Sequence, residues 1–403
     1  MTFNFDPPVD RSNTNSAKYH IVYRDGEASI TDEANRAHGP DRMIQMWVAD
    51  MDFKTVPEIT AALHERLEHA IYGYTIPQPA YYESVINWYQ QRYGWQVEKD
   101  WILHTPGVVA ALNAAVRCLT EPGDRVLIQR PVYHPFTHAI ENNGRVVLNS
   151  PLILDEATGR YEIDFDDLAA KAAEPDVKLV LLCSPHNPVT RVWTVDELTR
   201  FARICIDNGV TIMADELHCD LVFSSANFVP LASLSDEFAE HTITCMAPSK
   251  TFNLAGLKTS QITISNPELR ATFQAELTRC VIGRPKMFGL ITTEMAYTHG
   301  GPWLRAVMDY IEANFAYMRD YFAEHLPQLK VTPAEGTYLM WLDFRAFGLS
   351  QDDLLTKLLD DAKVHMSNGA QFGAEGEGFM RMNIATARVD LAEAVERIAR
   401  VFS

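Results

Sequence analysis

Three side chains with distinct chemistry follow three apolar segments of this 403-residue sequence. Asn187 lies in the turn SPHNP after KLVLLCS, Asp215 comes directly after VTIMA, and Lys250 comes directly after TITCMAPS. Ligands of open parallel sheets bind in the crevice at the carboxyl ends of the strands. We therefore expect an amide, a carboxylate and an amine to meet at one edge of a sheet.

That trio meets the chemical demands of pyridoxal 5'-phosphate. This cofactor needs an amine that condenses with its aldehyde, a carboxylate that keeps its ring nitrogen protonated, and a hydrogen-bond donor for its phenolic oxygen. We predict those roles for Lys250, Asp215 and Asn187. Singly, each has an ordinary explanation as a surface lysine, a strand-end carboxylate or a turn asparagine. Their chain order favours a shared site.

The phosphate of the cofactor needs an anion site of its own. The segment TPGVVAALNAAV, which begins at Thr105, indicates a glycine turn that opens a helix. Free amides and the helix dipole at such an N-terminus favour negative charge. Ser249 and Lys258 add a hydroxyl and a positive charge to this prediction.

The elements that position these residues are predicted to alternate between strands and helices, as in an α/β fold. From about residue 56, short apolar segments alternate with longer amphipathic ones, as in crossover units on a mainly parallel sheet. Continuous apolar runs predict central strands covered on both faces. These runs are residues 125–129, 178–184, 210–215, 242–247 and 261–265.

Two helix starts carry the signature of a capping box, Thr55 with Glu58 and Thr194 with Glu197. After the first, an apolar residue recurs at every fourth position and predicts a stripe that faces the core. The stripe comprises Ile59, Leu63, Leu67 and Ile71.

The pattern changes beyond about residue 290. A long helical pattern over 302–326 leads to an apolar segment at 337–344, a helix near 350–363 and a last helix over 389–402. We predict a three-layer αβα large cofactor-binding domain over residues 46–290, with a mostly parallel sheet. Residues 1–45 and 291–403 are predicted to form a smaller α+β domain.

Composition argues against several classes of protein. Fifty-three acidic and 35 basic residues give a net charge of −18, which repels nucleic acid and anionic lipid. The six cysteines lie far apart without a Cys-x-x-Cys pair, so reduced thiols are expected. No signal peptide and no spanning segment of about 18 apolar residues is evident. We expect a cytoplasmic protein with neither nucleic acid nor membrane as a partner.

Familiar motifs of other enzymes do not fit. Neither G-x-x-x-x-G-K-[ST] nor G-x-S-x-G occurs. The glycines of FGAEGEGF do not open a helix after a strand, which counts against a dinucleotide-dependent oxidoreductase. His134 and His138 are four apart, but Pro135 lies between them and no glutamate completes a metal motif. No metal site is predicted.

Eight motifs occur in an order that resembles a known family. They are WVADMDF (47–53), YGYTIP (72–77), TPGVVAAL (105–112), PVYHPF (131–136), SPHNPVTRVW (184–193), DELHCDL (215–221), APSKTFNLAGLK (247–258) and GFMRMNIA (378–385). The chain resembles the fold-type I pyridoxal-phosphate enzymes of the class I/II aminotransferase superfamily, and within them the MalY/PatB-like cystathionine β-lyase branch. The resemblance implies the aspartate-aminotransferase-like fold.

The resemblance also implies roles for individual residues. Lys250 is the lysine that bonds to the cofactor, Asp215 the partner of the ring nitrogen, and Asn187 the donor to the phenolic oxygen, with His218 nearby. Tyr133 would stack on the ring. These roles agree with those drawn from the residues themselves.

Further roles concern the phosphate, the substrate and a second subunit. The resemblance implies that Val108 and Val109 offer amides to the phosphate and that Arg381 grips the substrate α-carboxylate through its fork. Ala49, in WVADMDF, is expected to contact the substrate. Tyr74 resembles a tyrosine that reaches the phosphate of a neighbouring subunit, which implies a homodimer with composite active sites.

The loop at 184–191 departs from the family pattern. Ser184 and Thr190 stand where the turn N-P-H-N-P-x-G-R has asparagine and glycine. If that glycine serves a positive φ, a β-branched threonine is strained there or the loop takes another course.

The implied activity is carbon–sulfur β-elimination, in which L-cystathionine or a related cysteine S-conjugate gives a thiol, pyruvate and ammonia. A class I/II aminotransferase needs the same core residues and is the first alternative. A regulatory role through protein contacts is a second alternative, for which no residue identifies a surface.

Overall fold

The large sheet has seven strands in the computed structural model, which describes residues 3–11, 13–24, 27–30 and 42–403. Its strands, in chain order, are β1 Ile102–Thr105, β2 Arg125–Ile128, β3 Val146–Asn149, β4 Val177–Cys183, β5 Thr211–Asp215, β6 Thr242–Met246 and β7 Ser260–Thr263. Their spatial order is β1-β7-β6-β5-β4-β2-β3, and only β7 runs antiparallel to its neighbours. The five predicted strands are confirmed within two residues at either end.

Strand β4 shows why its sequence is a continuous apolar run. Leu179 and Leu181 pack into a core on one face of the sheet, and Val180 and Leu182 pack into a second core on the other face. Because both faces are covered by helices, neither set of alternate side chains can be polar. The three-layer αβα architecture of the α/β fold is thereby confirmed.

Helices cover both faces of the sheet and extend beyond it. Their bounds are Ala17–His20, Pro57–Glu68, Pro79–Tyr93, Val108–Leu119, Pro135–Glu141, Phe165–Ala172, Val195–Asp207, Asp236–Glu240, Pro248–Thr251, Pro267–Arg279, Met287–His299, Gly301–His325, Gln351–Thr356 and Arg388–Phe402. Within the described ranges, no helix combines the length and the apolar character that crossing a bilayer requires.

A second sheet follows the long helix Gly301–His325. It comprises β8 Lys330–Val331, β9 Leu339–Asp343, β10 Ser367–Asn368 and β11 Phe379–Asn383, in the antiparallel order β8-β9-β11-β10. The helix predicted near 350–363 is shorter, because Gln351–Thr356 gives way to a π-helical turn at Lys357–Asp361.

The N-terminal arm joins this second part of the chain. A hairpin pairs Ile21–Arg24 with Glu27–Ile30, and Ile44–Gln45 pairs in parallel with Val364–His365. Residues 1, 2, 12, 25, 26 and 31–41 of the predicted arm lie outside the described residues. The predicted boundary near 290 falls inside Met287–His299, so the division into domains stays a prediction.

Two local predictions near residue 55 need correction. The helix begins at Pro57 after Val56, and the Thr55 hydroxyl donates instead to the carbonyl of Phe252 at 2.7 Å. The capping box of Thr194 and Glu197 is confirmed. The predicted stripe is core at Ile59, whereas Leu67 and Ile71 are 47% and 64% exposed.

Candidate active site

A cavity of about 540 Å³ opens at the carboxyl ends of β4, β5 and β6. It brings together seven of the residues named from the sequence. They are Ala49, Tyr133, Asn187, Asp215, His218, Lys250 and Arg381. Ser249, Lys258, Val108, Val109 and Tyr74 are not in its lining.

Asp215 ends β5 and is buried at the base of the cavity. Its Oδ1 accepts a hydrogen bond from the amide of Leu217 at 3.2 Å. No cationic side chain of the described residues lies within ion-pair distance of it. Burial accordingly raises the pKa of the carboxyl from 3.8 to about 7. A cationic group entering the cavity would find a carboxylate that is not engaged in an ion pair, although the charge of Lys250 acts on it.

Lys250 lies in the short helix Pro248–Thr251 that follows β6. Its Nζ donates to the carbonyl of Ala49 at 2.6 Å. Desolvation by the surrounding protein lowers the pKa of this amine from 10.5 to about 8. A sizeable fraction of the amine is therefore neutral near pH 8, the form in which an amine acts as a nucleophile or a base.

Arg381, on β11, fixes the orientation of Asn187. Its Nη1 donates to Oδ1 of Asn187 at 3.0 Å, and its Nη2 donates to the carbonyl of Trp47 and to Oγ of Ser367. A guanidinium has no acceptor, so Asn187 must turn its oxygen toward Arg381. The amide NH2 of Asn187 is then left to donate into the cavity, as the sequence analysis requires.

The guanidinium of Arg381 retains donor capacity. Its buried Nε has no hydrogen-bond partner within the part of the chain that the structure describes. The group lies 4.9 Å from the centre of the Phe372 ring, and burial lowers its pKa from 12.5 to about 10. An incoming carboxylate would satisfy a cation that is already desolvated.

His218 and Tyr133 complete the polar lining. His218 is buried, and its Nδ1 lacks a partner among the described residues. Burial lowers the pKa of His218 from 6.5 to about 3, so the imidazole is neutral. The amide of Tyr133 donates to the carbonyl of Asn187 at 3.0 Å, which ties the two loops together.

The predicted anion site lies at the start of the helix Val108–Leu119. Gly107 precedes it with φ +101°, a conformation that favours glycine, and leaves the amides of Val108 and Val109 at the helix N-terminus. Antiparallel pairing of Ser260 with Thr105 brings the end of β1 beside the start of β7. Lys258 and Gly107 therefore lie at the same end of these two strands.

Tyr74 is fully exposed and lies apart from the cavity. It lines a separate surface groove with Pro106 and Val281. Within one chain, then, Tyr74 does not contribute to the cavity that contains Lys250.

The profile of the family "Aminotransferase class I and II" matches residues 41–398 of the chain. The chain belongs to this family. Cystathionine beta-lyase PatB of Bacillus subtilis is 42% identical over 400 residues, which covers 99% of this chain and 100% of that protein. The similarity therefore extends along the whole sequence.

Two solved structures show the same similarity in three dimensions. Cystalysin from Treponema denticola, described as containing a pyridoxal 5'-phosphate cofactor, is 34% identical with a TM-score of 0.92, and the match covers 100% of this chain and 99% of that one. The PLP-bound C-S lyase from Staphylococcus hominis is 32% identical with a TM-score of 0.89 over 100% and 98% of the two chains.

The cavity of this family member contains residues that the sequence analysis did not select. They are Tyr23, Trp47, Val48, His134, His138, Cys183, Leu217, Ser367, Gln371 and Phe372. The spacing of His134 and His138 gives no ground for a metal site, and the described residues contain no group of three or more side chains that could hold a metal ion. Both imidazoles line the cavity together with Tyr133, and the motif PVYHPF is an available signal for His134 but not for His138, which lies outside it.

Tyr338 is a further missed residue, although it does not line the cavity. Its hydroxyl donates to the carbonyl of Ala49 at 2.9 Å, the same oxygen that accepts from Lys250. No spacing pattern in the sequence connects positions 49, 250 and 338.

Thr190 adopts the left-handed backbone conformation. Its φ is +60°, and its side chain is completely buried. The amide of Thr190 donates to the carbonyl of His186 at 2.7 Å, and its carbonyl accepts from Glu335. The loop is thus held in the left-handed conformation by its hydrogen bonds, and the strain expected from the sequence is present.

Proposed function

We propose that this protein is a pyridoxal-phosphate-dependent carbon–sulfur β-lyase. It cleaves L-cystathionine, or related cysteine S-conjugates, by α,β-elimination to a thiol, pyruvate and ammonia; with cystathionine the thiol is homocysteine. The observation that carries the proposal is that one cavity contains both the desolvated amine of Lys250 and the buried carboxylate of Asp215, which forms no ion pair. The similarity to proteins named cystathionine beta-lyase and C-S lyase favours elimination over transamination.

The residues present fit the cofactor. A buried carboxylate without a cationic partner suits a protonated ring nitrogen, because an ion pair offsets the cost of its burial. Asn187 has an amide NH2 to donate to a phenolic oxygen. The helix N-terminus at Val108 offers free backbone amides to a phosphate.

Each part of the cofactor would have its own residues. Lys250 would bond to its aldehyde, Asp215 would hold its ring nitrogen and Asn187 its phenolic oxygen, and Tyr133 would cover the ring with His218 nearby. Val108, Val109, Ser249 and Lys258 would bind its phosphate. Bound there, the cofactor supplies an electron sink for the negative charge that develops at the substrate α-carbon.

The side chains of this chain perform the remaining steps. Arg381 holds the α-carboxylate of the substrate, and Ala49 lies beside it in the cavity. Once the substrate amine has taken its place on the cofactor aldehyde, the freed Nζ of Lys250 would remove the α-proton, which a pKa of about 8 allows near neutral pH. Asp215 keeps the proton on the ring nitrogen. The β-thiolate then departs, and water completes the conversion to pyruvate and ammonia.

We also infer that two copies of the chain form a homodimer with composite active sites. An exposed apolar surface supports this inference. Its members are Leu67, Ile71, Tyr72, Tyr74, Ile76 and Val281. Tyr72, Tyr74 and Val281 line one groove, and exposed apolar side chains grouped in this way favour a second copy as their cover. Tyr74 would then reach the phosphate site of the partner.

We also propose that residues 46–290 form a large cofactor-binding domain, that residues 1–45 and 291–403 form a small domain, and that the protein is cytoplasmic. Residues 46–290 contribute Asp215 and Lys250 to the cavity, and residues 291–403 contribute Ser367 and Arg381, as expected for a site between two domains. All six cysteines are free thiols, which supports the reducing cytoplasm.

An assay of purified holoenzyme tests the activity. With L-cystathionine as the sole substrate, we expect equimolar pyruvate and free thiol without any keto-acid acceptor. Lys250→Ala should reduce the rate by about 10²–10⁴-fold, the contribution typical of a positioned acid–base group. Turnover that appears only when a keto acid is added would establish an aminotransferase instead.

A further inference from the structure

The segment of residues 47–53, here called the strap, is irregular chain, and its residues 47–49 line the cavity. Its backbone carbonyls are bound by side chains from two distant parts of the protein, the segment of residues 250–253 and Asn383. Asn383 donates to the carbonyls of Val48 and Asp50, Asn253 donates to those of Met51 and Phe53, and Lys250 donates to that of Ala49. The position of Lys250 Nζ therefore depends on where the strap lies.

Lys18, in the N-terminal arm, makes a further set of contacts with the strap. It is completely buried, and its Nζ lies 2.6 Å from Oδ2 of Asp52 and 3.4 Å from the carbonyl of Asp50. Its own carbonyl accepts the indole N–H of Trp47 at 3.0 Å. Lys18 thus contacts the strap at both ends of the turn that contains Ala49.

Arg11 completes a compact group of four charges. Its guanidinium pairs with Asp50 and with Asp52, each at 2.8 Å. Two cations from the arm therefore balance two anions of the strap. Without Lys18, the buried carboxylate of Asp52 would lose half of this compensation, and breaking one member of such a pair is costly in a buried setting.

We infer that Lys18 is a positioning residue for the reaction: by fixing Asp52 and Trp47 it holds the strap, and through the Ala49 carbonyl it holds the Nζ of Lys250. The expected effect of Lys18 on turnover rests on the proposed function. The statement that Lys18 holds the strap in place does not depend on that function. A displacement of about 1 Å at a reacting group can reduce a rate by up to about 100-fold, so an anchor outside the cavity can matter for turnover.

The variant Lys18→Met removes the charge and keeps a similar side-chain length. In cofactor-free protein, we expect the amides of Met51 and Asp52 to exchange hydrogen about tenfold faster, because both are hydrogen-bonded in the strap. Amides of β5 and β6 should keep their protection. In holoenzyme we expect kcat to fall about tenfold while the cofactor absorbance shows full occupancy.

Two further variants make the result specific. Asp360→Asn breaks the half-exposed ion pair with Arg24 on the same arm and should leave exchange in the strap and kcat unchanged. Lys18→Met combined with Asp52→Asn removes both buried charges and should recover part of the lost protection. If Lys18→Met does not fold, Asp52→Asn alone carries the same exchange test.

The outcomes separate this inference from the proposed function. Unchanged exchange at Met51 and Asp52 in the Lys18 variant overturns it, whatever the enzyme catalyses. So does an equal effect of Asp360→Asn, which would indicate a general loosening of the arm. A protein that shows the expected exchange but releases no pyruvate would keep the structural anchor and refute the lyase.

Discussion

Two regions determine where the amine of Lys250 lies, the ends of the central strands and the strap, and they are positioned by different means. Asp215 ends β5, and Asn187 and Lys250 follow β4 and β6, so the hydrogen-bonded sheet brings the three residues to one edge. The strap has no ladder of its own, and its Ala49 carbonyl meets Lys250 and Tyr338 across 201 and 289 residues of sequence. Regular structure therefore places the chemistry, and tertiary side-chain contacts adjust it.

The two regions also treat charge differently. Asp50 and Asp52 of the strap are each paired with a cation of the arm. Asp215 is buried without such a partner, and burial raises its pKa to about 7. An unpaired buried carboxylate costs stability, so its retention points to a partner that arrives with the cofactor.

Removing the strand-end carboxylate should have the larger effect on activity. For Asp215→Asn we expect pyruvate release to fall by about 10²–10³-fold, the cost typical of one lost electrostatic stabiliser, against the tenfold expected for the strap. Steady-state kinetics at saturating cofactor measure it. Asp166→Asn, which changes an exposed carboxylate paired only with Arg200, is the matched control. A loss below tenfold would remove the distinction between the two regions.

The same carboxylate gives the cofactor-free protein a pH dependence. Between pH 4 and 7, the folded protein holds a proton on Asp215 that the unfolded chain has released, so this group makes unfolding easier as pH rises. We expect Asp215→Asn to raise Tm at pH 8 and to change it less at pH 5, as measured by calorimetry of the cofactor-free protein. Equal shifts at both pH values would mean that the carboxyl is not the titrating group.

The strand-end residues could be predicted from the sequence because their position depends on local pattern. Apolar runs define β4, β5 and β6 within two residues, and the polar residue after each run lies at the same sheet edge. The buried ion pair of Lys18 was not predictable, because nothing in the local sequence distinguishes a buried lysine from a solvated one. The ion pair becomes evident only when the structure places Lys18 beside Asp52.

The errors near residue 55 have a similar cause. Thr55 has the residue type of a cap, but a tertiary acceptor at Phe252 takes its hydroxyl, and Pro57 starts the helix. Leu67 follows helical spacing yet is exposed in a single chain, and Ile71 lies beyond the helix, which ends at Glu68. The period of a stripe shows which residues share a face and does not show whether that face meets this chain or another copy.

Thr190, near the end of β4, shows tertiary contacts that override the local preference of a β-branched residue against positive φ. It lies in the loop that carries Asn187, with φ +60°, where a side chain with Cβ costs about 1–2 kcal/mol relative to glycine. Thr190→Ala and Thr190→Gly both remove the branched side chain, so they lose the same packing and differ mainly in backbone preference. Elsewhere alanine is usually the more stable of the two by about 0.5–1 kcal/mol. Here we expect the order to reverse, with the glycine variant the more stable by about 1 kcal/mol in denaturant unfolding. If alanine proves as stable as glycine, the loop has left the left-handed conformation, and Asn187 is held by its hydrogen bonds with Arg381 and Tyr133.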